Sequence, residues 1–197
     1  MTRVDGRFEL RRFRGRGKSG WAGVLGPFGE VVVEARWRKS SVKSGSSQPE
    51  VLVSGDGVPA IRFLTVGPGR PTLRNARLTV GGEPVPVAFD RKGLSNTARA
   101  LTFTCRERAY TYVAESWDRG GTLSRTGVVV SVRRGKSPSG RGNSALGTVE
   151  GAADAVDLAL AALFVAVDTQ ELTTAGAVAH VLGRALNPRS PEPVSTG

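Results

Sequence analysis

The chain has 197 residues, a formal charge of +11, one cysteine and one histidine. That length fits one domain with a substantial core, while a lone Cys105 excludes an internal disulfide and, with His180, cannot supply a structural zinc site of the Cys/His type. No run reaches the roughly 18–20 apolar residues that cross a bilayer, and the arginine pair of "MTRVDGRFELRRFRGRGKSG" has no apolar run after it, against a secretory or twin-arginine signal.

A soluble protein of a reducing cytoplasm is therefore expected, with peripheral membrane attachment as the second option. Residues 1–150 hold 26 Lys/Arg against 12 Asp/Glu, or +14, whereas residues 151–197 hold 2 against 5, or −3. Such a basic part attracts phosphates of nucleic acid or of anionic lipid. Its 23 arginines against 5 lysines, beside abundant Gly, Ala and Val, also match the amino-acid usage of a GC-rich genome.

In chain order, the first long stretch is a succession of short apolar or alternating runs. "EVVVEARWRK" is the clearest: Val31, Val33, Ala35 and Trp37 share one face, and Val32, Glu34, Arg36 and Arg38 the other, which is the period of a half-buried strand. "GRFELRRF", "WAGVLG", "EVLVSG", "AIRFLTVG", "ARLTVGG", "VPVAFD", "ALTFTC", "AYTYVAES" and "GVVVSVRR" read alike. The turn signals "GPFGE", "SGDG", "GPGRP", "VGGEP" and "DRGG" fall among them.

About ten short strands without helical text between them predict an antiparallel meander, barrel or sandwich; parallel strands would need crossovers of a dozen residues or more. "SSVKSGSSQPE" (40–50) and "RRGKSPSGRGNSALGT" (133–148) read as loops, the second mobile and leading into a helix.

The segment "DLALAALFVAVD" holds ten consecutive apolar residues, Leu158–Val167. Free of Gly and Pro, it predicts a helix over about 152–170, with Asp154 as N-cap and Asp157 in the first turn. About 15 helical residues span roughly 22 Å, short of the roughly 30 Å hydrocarbon core. A helix apolar on every face must be surrounded by protein. It has no basic face for a membrane surface and no heptad spacing for a dimer, and nothing in the pattern sets an oligomeric state. The prediction is an α+β, mainly β fold: a closed or nearly closed antiparallel barrel of about 10–12 strands around that helix, which also removes exposed sheet edges.

The barrel occupies 1–172 in this reading. An accessory helix follows at 173–187, where Thr174 caps "TTAGAVAHVLGRALN", and a disordered tail at 188–197.

The strand succession followed by "DAVDLALAALFVAVD" resembles the tubby-like superfamily, nearest its LURP-one-related and phospholipid-scramblase-like branch. The resemblance covers roughly residues 6–170 and implies a central helix threaded through a twelve-stranded barrel. The phosphoinositide headgroup motif of tubby proteins falls on no positions here, and the cysteine-rich palmitoylated and proline-rich segments of scramblases are absent. The resemblance thus implies a fold more than a role.

"FRGRGKSGW" is a poor P-loop, since Arg12 stands where the first glycine belongs and no strand-to-helix passage follows. The stronger candidates are basic clusters: Arg11, Arg12, Arg14, Arg16 and Lys18 around the first hairpin; Arg36, Arg38 and Lys39 along or ending a strand; and Arg133, Arg134 and Lys136 at another strand's end. Converging on one rim they form an anion site, with arginine forks suited to phosphate oxygens; scattered, they are a solvated surface.

Trp21, Trp37 and Trp117 are able to stack on bases, or are simply core. His180 has no partner in its helical text and reads as packing, and Cys105 reads as a buried inert thiol. Asp157 and Asp168 serve the helix ends, since at eleven residues' separation they lie roughly 16 Å apart, too far for a glycosidase pair.

The sequence thus predicts a non-catalytic binding or scaffold module without metal or cofactor, recognising an anionic partner such as phospholipid headgroups, a membrane surface or an acidic partner protein. Nucleic-acid binding by the same face is the alternative. An enzyme with an unrecognised pocket comes third.

Overall fold

The structure, a computed structural model, describes residues 6–15, 18–39, 47–65, 73, 76–90, 92–116, 118–136 and 142–174, the side chains of 37–39 and 47–48 excepted. Its strands are β1 (Gly6–Gly15), β2 (Lys18–Val24), β3 (Glu30–Lys39), β4 (Ser47–Ser54), β5 (Ile61–Thr65), β6 (Ala76–Val80), β7 (Glu83–Val85), β8 (Val87–Phe89), β9 (Leu101–Cys105), β10 (Arg108–Ser116), β11 (Gly120–Arg125), β12 (Val128–Lys136) and β13 (Asn143–Gly151). One helix, α1 (Ala155–Leu163), follows them.

All thirteen strands form one antiparallel sheet in which neighbours in sequence pair, and β13 returns to lie against β1. Its outermost strands, β7 and β8, are successive pieces of one extended segment broken at Pro86, the first pairing with β6 and the second with β9. The ends of the sheet therefore meet, and the barrel is nearly closed. Pro84 and Pro86 stand at this seam, where the missing N–H of proline costs no ladder bond and discourages pairing with another chain.

Alternation sets the inner wall. Ile61 and Phe63 on β5, Leu101, Phe103 and Cys105 on β9, and Val128, Val130 and Val132 on β12 are all buried, two residues apart as strand geometry requires. Against this wall lies α1, buried from Val156 to Leu163. It touches β3, β4 and β5 on one side and β11 and β12 on the other. At its end the Phe164 ring stacks on Tyr112 with centroids 4.0 Å apart, and meets Phe63 and Phe103 at 6.4 Å each. Rings from β5, β9 and β10 thus converge on one helix residue, which only a central helix allows. Each large side chain so buried contributes roughly 1.5–3 kcal/mol. The expected barrel around an apolar helix is the observed fold.

Three details differ from the expectation. β11 and β13 are strands that the sequence reading passed over, and the run "VPVAFD" falls on two strands, β7 and β8, which together raise the count from ten to thirteen. The segment 133–148, expected as a loop, instead contains the end of β12 and the start of β13. Its small residues look like a linker but are packing: Gly147 faces Phe8 across the ladder, and a Cβ there would lie 2.1 Å from Cζ of that ring. Glycine in a strand marks such close approach.

The helix is also shorter than 152–170. After Leu163 the amides of Val165 and Ala166 reach back only three residues, to Ala162 and Leu163 at 3.1 Å each, so the apolar run finishes in tight turns. Of the expected accessory helix and tail, only Thr173 and Thr174 are described, and His180 lies outside the described residues.

A buried polar cluster fixes the helix start. Asp154 caps α1 by accepting from the amides of Val156 and Asp157, at 3.0 and 3.1 Å, while Asp157 Oδ2 accepts from the Asp154 amide at 2.8 Å, a complete capping box. The Arg125 guanidinium forks onto both Asp157 oxygens at 2.7 Å, and Tyr110 Oη donates to Oδ1 at 2.8 Å. Burial and the Asp157 carboxylate raise the Tyr110 pKa, so the phenol stays a donor. Arg108 pairs with Asp154 on the outer side.

Removing one member of a buried pair strands the other, so Asp157→Ala lowers unfolding free energy by about 3–5 kcal/mol, whereas the apolar double replacement Arg125→Met/Asp157→Leu regains most of it; urea unfolding measures both. Burial pushes the Asp154 carboxyl up, but Arg108 and the amides of Asp157 and Val156 outweigh it and leave the pKa lowered. Its contribution is then fully present above its unfolded value near pH 4 and lost as pH falls through the lower folded value. Arg108→Gln shrinks that acid-side loss, as unfolding curves collected from pH 5 downward test.

Candidate anion-binding site

The alternation that builds the core also builds the barrel's mouth beyond the end of α1. On β1, Phe8 and Leu10 are buried, and the next residue of the same parity is Arg12, which is exposed. On β12 the series Val128, Val130 and Val132 runs on to Arg134 and Lys136. The ladders place Arg12 opposite Trp21 and Lys136 opposite Asn143, and β13 joins the two strands. These inward-facing polar residues surround a cavity of about 510 Å³, lined by Arg12, Trp21, Asp118, Arg134, Lys136 and Asn143, with Ser19 also on its wall and Val165 and Ala166 contributing the apolar part.

The three cations have different duties. Arg134 Nη2 donates to the carbonyls of Phe164 at 3.2 Å and Val167 at 3.5 Å, satisfying groups left open where the helix ends. Burial lowers its pKa, and Tyr112, Asp168 and Asp118 work the other way; the guanidinium remains charged. Its Nε is buried with no partner among the described residues. Arg12 lies over the Trp21 ring, its guanidinium carbon 6.0 Å from the centroid, a cation–π distance. Neither Arg12, Lys136 nor Arg134 makes an ion pair among the described residues.

Four candidate cations of opposite parity face out and find carboxylates. Arg11 meets Glu9 at 3.6 Å, Lys18 meets Glu34 at 3.6 Å, Arg36 bonds the same Glu34, and Arg133 meets Glu115 at 3.0 Å. Arg14 shares the face of Arg12 and stands opposite Ser19, above the cavity lining. Arg16 lies outside the described residues, as do the side chains of Arg38 and Lys39 at the end of β3. Of the eleven basic candidates, the fold therefore brings Arg12, Arg134 and Lys136 together and ties Arg11, Lys18, Arg36 and Arg133 to the outer wall. Trp21 is a wall residue only 8% exposed, and Cys105 is buried, its thiol pKa raised by burial.

Sequence reasoning missed Asp118, Ser19 and Asn143. Asn143 sat in the supposed loop, and Asp118 precedes β11, which had not been recognised. Asp118 Oδ1 accepts from the Ser116 hydroxyl at 2.7 Å, and this bond, with Arg119 and Arg134 nearby, outweighs burial to hold the carboxyl below the usual range. The mouth thus presents three cations and one fixed carboxylate around a concave space, where low-dielectric walls strengthen the field on an entering anion.

In comparison with family models, curated proteins and solved structures, the chain matches none of them. No helix among the described residues is long and apolar enough to cross a membrane.

If Arg134 serves the helix end while Arg12 and Lys136 are spare, stability separates them. Arg134→Met leaves the Phe164 and Val167 carbonyls without their donor and costs about 1–3 kcal/mol, whereas Arg12→Ala and Lys136→Ala each cost under about 1 kcal/mol. Thermal denaturation of the three variants gives the ranking.

Proposed function

We propose that the chain is a non-catalytic binding module that holds an anionic group in the mouth of its barrel, phospholipid headgroups being one source of that group. One observation carries the reading: Arg12, Arg134 and Lys136 converge on a cavity without an ion pair among the described residues, while Arg11, Lys18, Arg36 and Arg133 on the outer wall are paired. Arginine and lysine around a concave space give an anion charge-assisted hydrogen bonds in a partly dry setting. The sequence carries no nucleophile–base or phosphate-loop pattern, so the reading is one of binding.

A nucleic-acid face is the weaker reading. Tracking a phosphate backbone takes an extended row of spare cations, and Glu9, Glu34 and Glu115 interrupt such a row by pairing with Arg11, Lys18 and Arg133 on the outer wall.

Co-sedimentation with vesicles tests the proposal. Binding is expected to acidic vesicles and not to neutral choline-headgroup vesicles, whose quaternary ammonium has no N–H to donate, to weaken with salt, and to fall at least about tenfold, the equivalent of about 1.4 kcal/mol, in Arg12→Ala/Lys136→Ala but not in Arg11→Ala/Arg36→Ala. Equal uptake by both vesicle types, insensitivity to the first double variant, or tighter binding of single-stranded DNA that depends on the outer cations overturns it.

A further inference from the structure

A site for a bare anion has no use for a carboxylate, yet Asp118 lines the same cavity as Arg12, Arg134 and Lys136. It is an exposed residue, but its turn is braced. The Ser116 hydroxyl holds one of its oxygens at 2.7 Å and also accepts from the Arg119 amide at 3.2 Å, which fixes the turn that carries it. The Arg134 amide on the neighbouring strand in turn donates to the Arg119 carbonyl at 2.8 Å, tying the Asp118 turn to the strand of the cationic wall. Asp118 makes no ion pair among the described residues, and Arg134 is already engaged with the helix carbonyls. The cavity therefore has two poles: Arg12 and Lys136 with spare donors, and an ionised carboxylate held against the same wall.

We infer that the preferred ligand is a phosphate ester carrying an ammonium group, its phosphate taken by Arg12 and Lys136 and its ammonium by Asp118. The inference rests on the anion-binding reading and adds to it a specificity-determining residue. A second phosphate or carboxylate on the ligand would meet Asp118 as a like charge, whereas a tethered ammonium turns that penalty into a charge-assisted bond. A cavity of about 510 Å³ falls within the size of small-ligand pockets, and Asn143 and Ser19 add neutral polar contacts on its wall. The chemistry is shared by a free ethanolamine-type phosphate and by the same group at the head of a phospholipid.

Titration calorimetry with phosphoethanolamine and methyl phosphate isolates the ammonium, since both present a phosphate monoester. Wild type is expected to bind phosphoethanolamine about tenfold more tightly, the equivalent of about 1.4 kcal/mol. Asp118→Asn, which keeps the size of the side chain and an acceptor for Ser116, removes that preference while methyl phosphate binds as well or better. A second arm compares vesicles with ethanolamine headgroups against vesicles of the matched headgroup lacking an amine. Dependence on Asp118 in the soluble arm assigns a free ligand, and dependence in the vesicle arm alone assigns a headgroup. The inference fails if Asp118→Asn leaves discrimination unchanged in both arms or if wild type shows none. Arg12→Ala/Lys136→Ala tests the underlying reading separately: undiminished phosphate binding in that variant removes the anion site itself, whatever Asp118 does.

Discussion

The structure depends on a helix with nowhere to send its polar ends. An α-helix leaves four N–H groups and four carbonyls without internal partners, and α1 is enclosed by protein along its length, so solvent cannot satisfy them all. The protein itself must supply the partners. At the start the segment's own Asp154 and Asp157 take the open amides, and the wall braces Asp157 through Arg125 and Tyr110 from β11 and β10. At the finish the following turn takes the Ala162 and Leu163 carbonyls, and Arg134 from β12 takes those of Phe164 and Val167 just beyond. Carboxylates at the N-terminus and a guanidinium at the C-terminus are also the signs that suit the helix dipole. The apolar contacts drive the helix inward, and these few polar ones fix its register within the wall.

The same strand geometry explains the sorting of the basic residues. Successive side chains of a strand point to opposite faces, so Arg11 and Arg12, adjacent in sequence, belong to different environments. Arg133 and Arg134 repeat the division on β12. On the outer face glutamates stand within reach, and the pairs Arg11–Glu9, Lys18–Glu34 and Arg133–Glu115 are exposed ion pairs of little energetic weight; their effect is to cancel charge. On the inner face the core ends before the strands do, and the inward positions past it, Arg12 and Lys136, open into the cavity with no such cancellation among the described residues.

Much of this fold was legible in the sequence because it follows from periods and from one unusually apolar segment. The ten apolar residues after Asp157 could not lie in water, and the alternating runs before them were the only material able to enclose them. Asp154 as a cap was readable from its place ahead of that segment. What escaped notice were strands whose inward positions are small. β13 carries Ala145 and Gly147 where other strands carry Val or Phe, because Phe8 fills the space above Gly147. β11 begins at Gly120 and Gly121, where a Cβ on Gly121 would meet the Tyr112 hydroxyl at 2.7 Å. Close packing and a flexible linker call for the same residue types, and only the partner across the ladder tells them apart. The candidate site was legible as chemistry, arginines and lysines near strand ends, but not as a place. Counting parity from the buried Phe8 and Leu10 would have separated Arg12 from Arg11, whereas Asp118 could not be found until β11 was known.

Both ends of the barrel hold arginines and aspartates, and the helix puts them to different uses. At the start of α1 two arginines are matched, Arg125 to Asp157 and Arg108 to Asp154, and both carboxylates are needed there by unpaired amides. At the other end the open groups are carbonyls, which require donors. One arginine suffices for them, because Nη2 of Arg134 reaches two carbonyls. The further cations on that rim then have no structural acceptor to serve, and with Val165 and Ala166 closing one side of the space, they face a concavity instead of a wall. A helix threaded in the opposite direction would have placed its carboxylates at this mouth. The polarity of the central segment, written in the order of Asp154, Asp157 and the apolar run, is what leaves the cationic mouth available for a ligand.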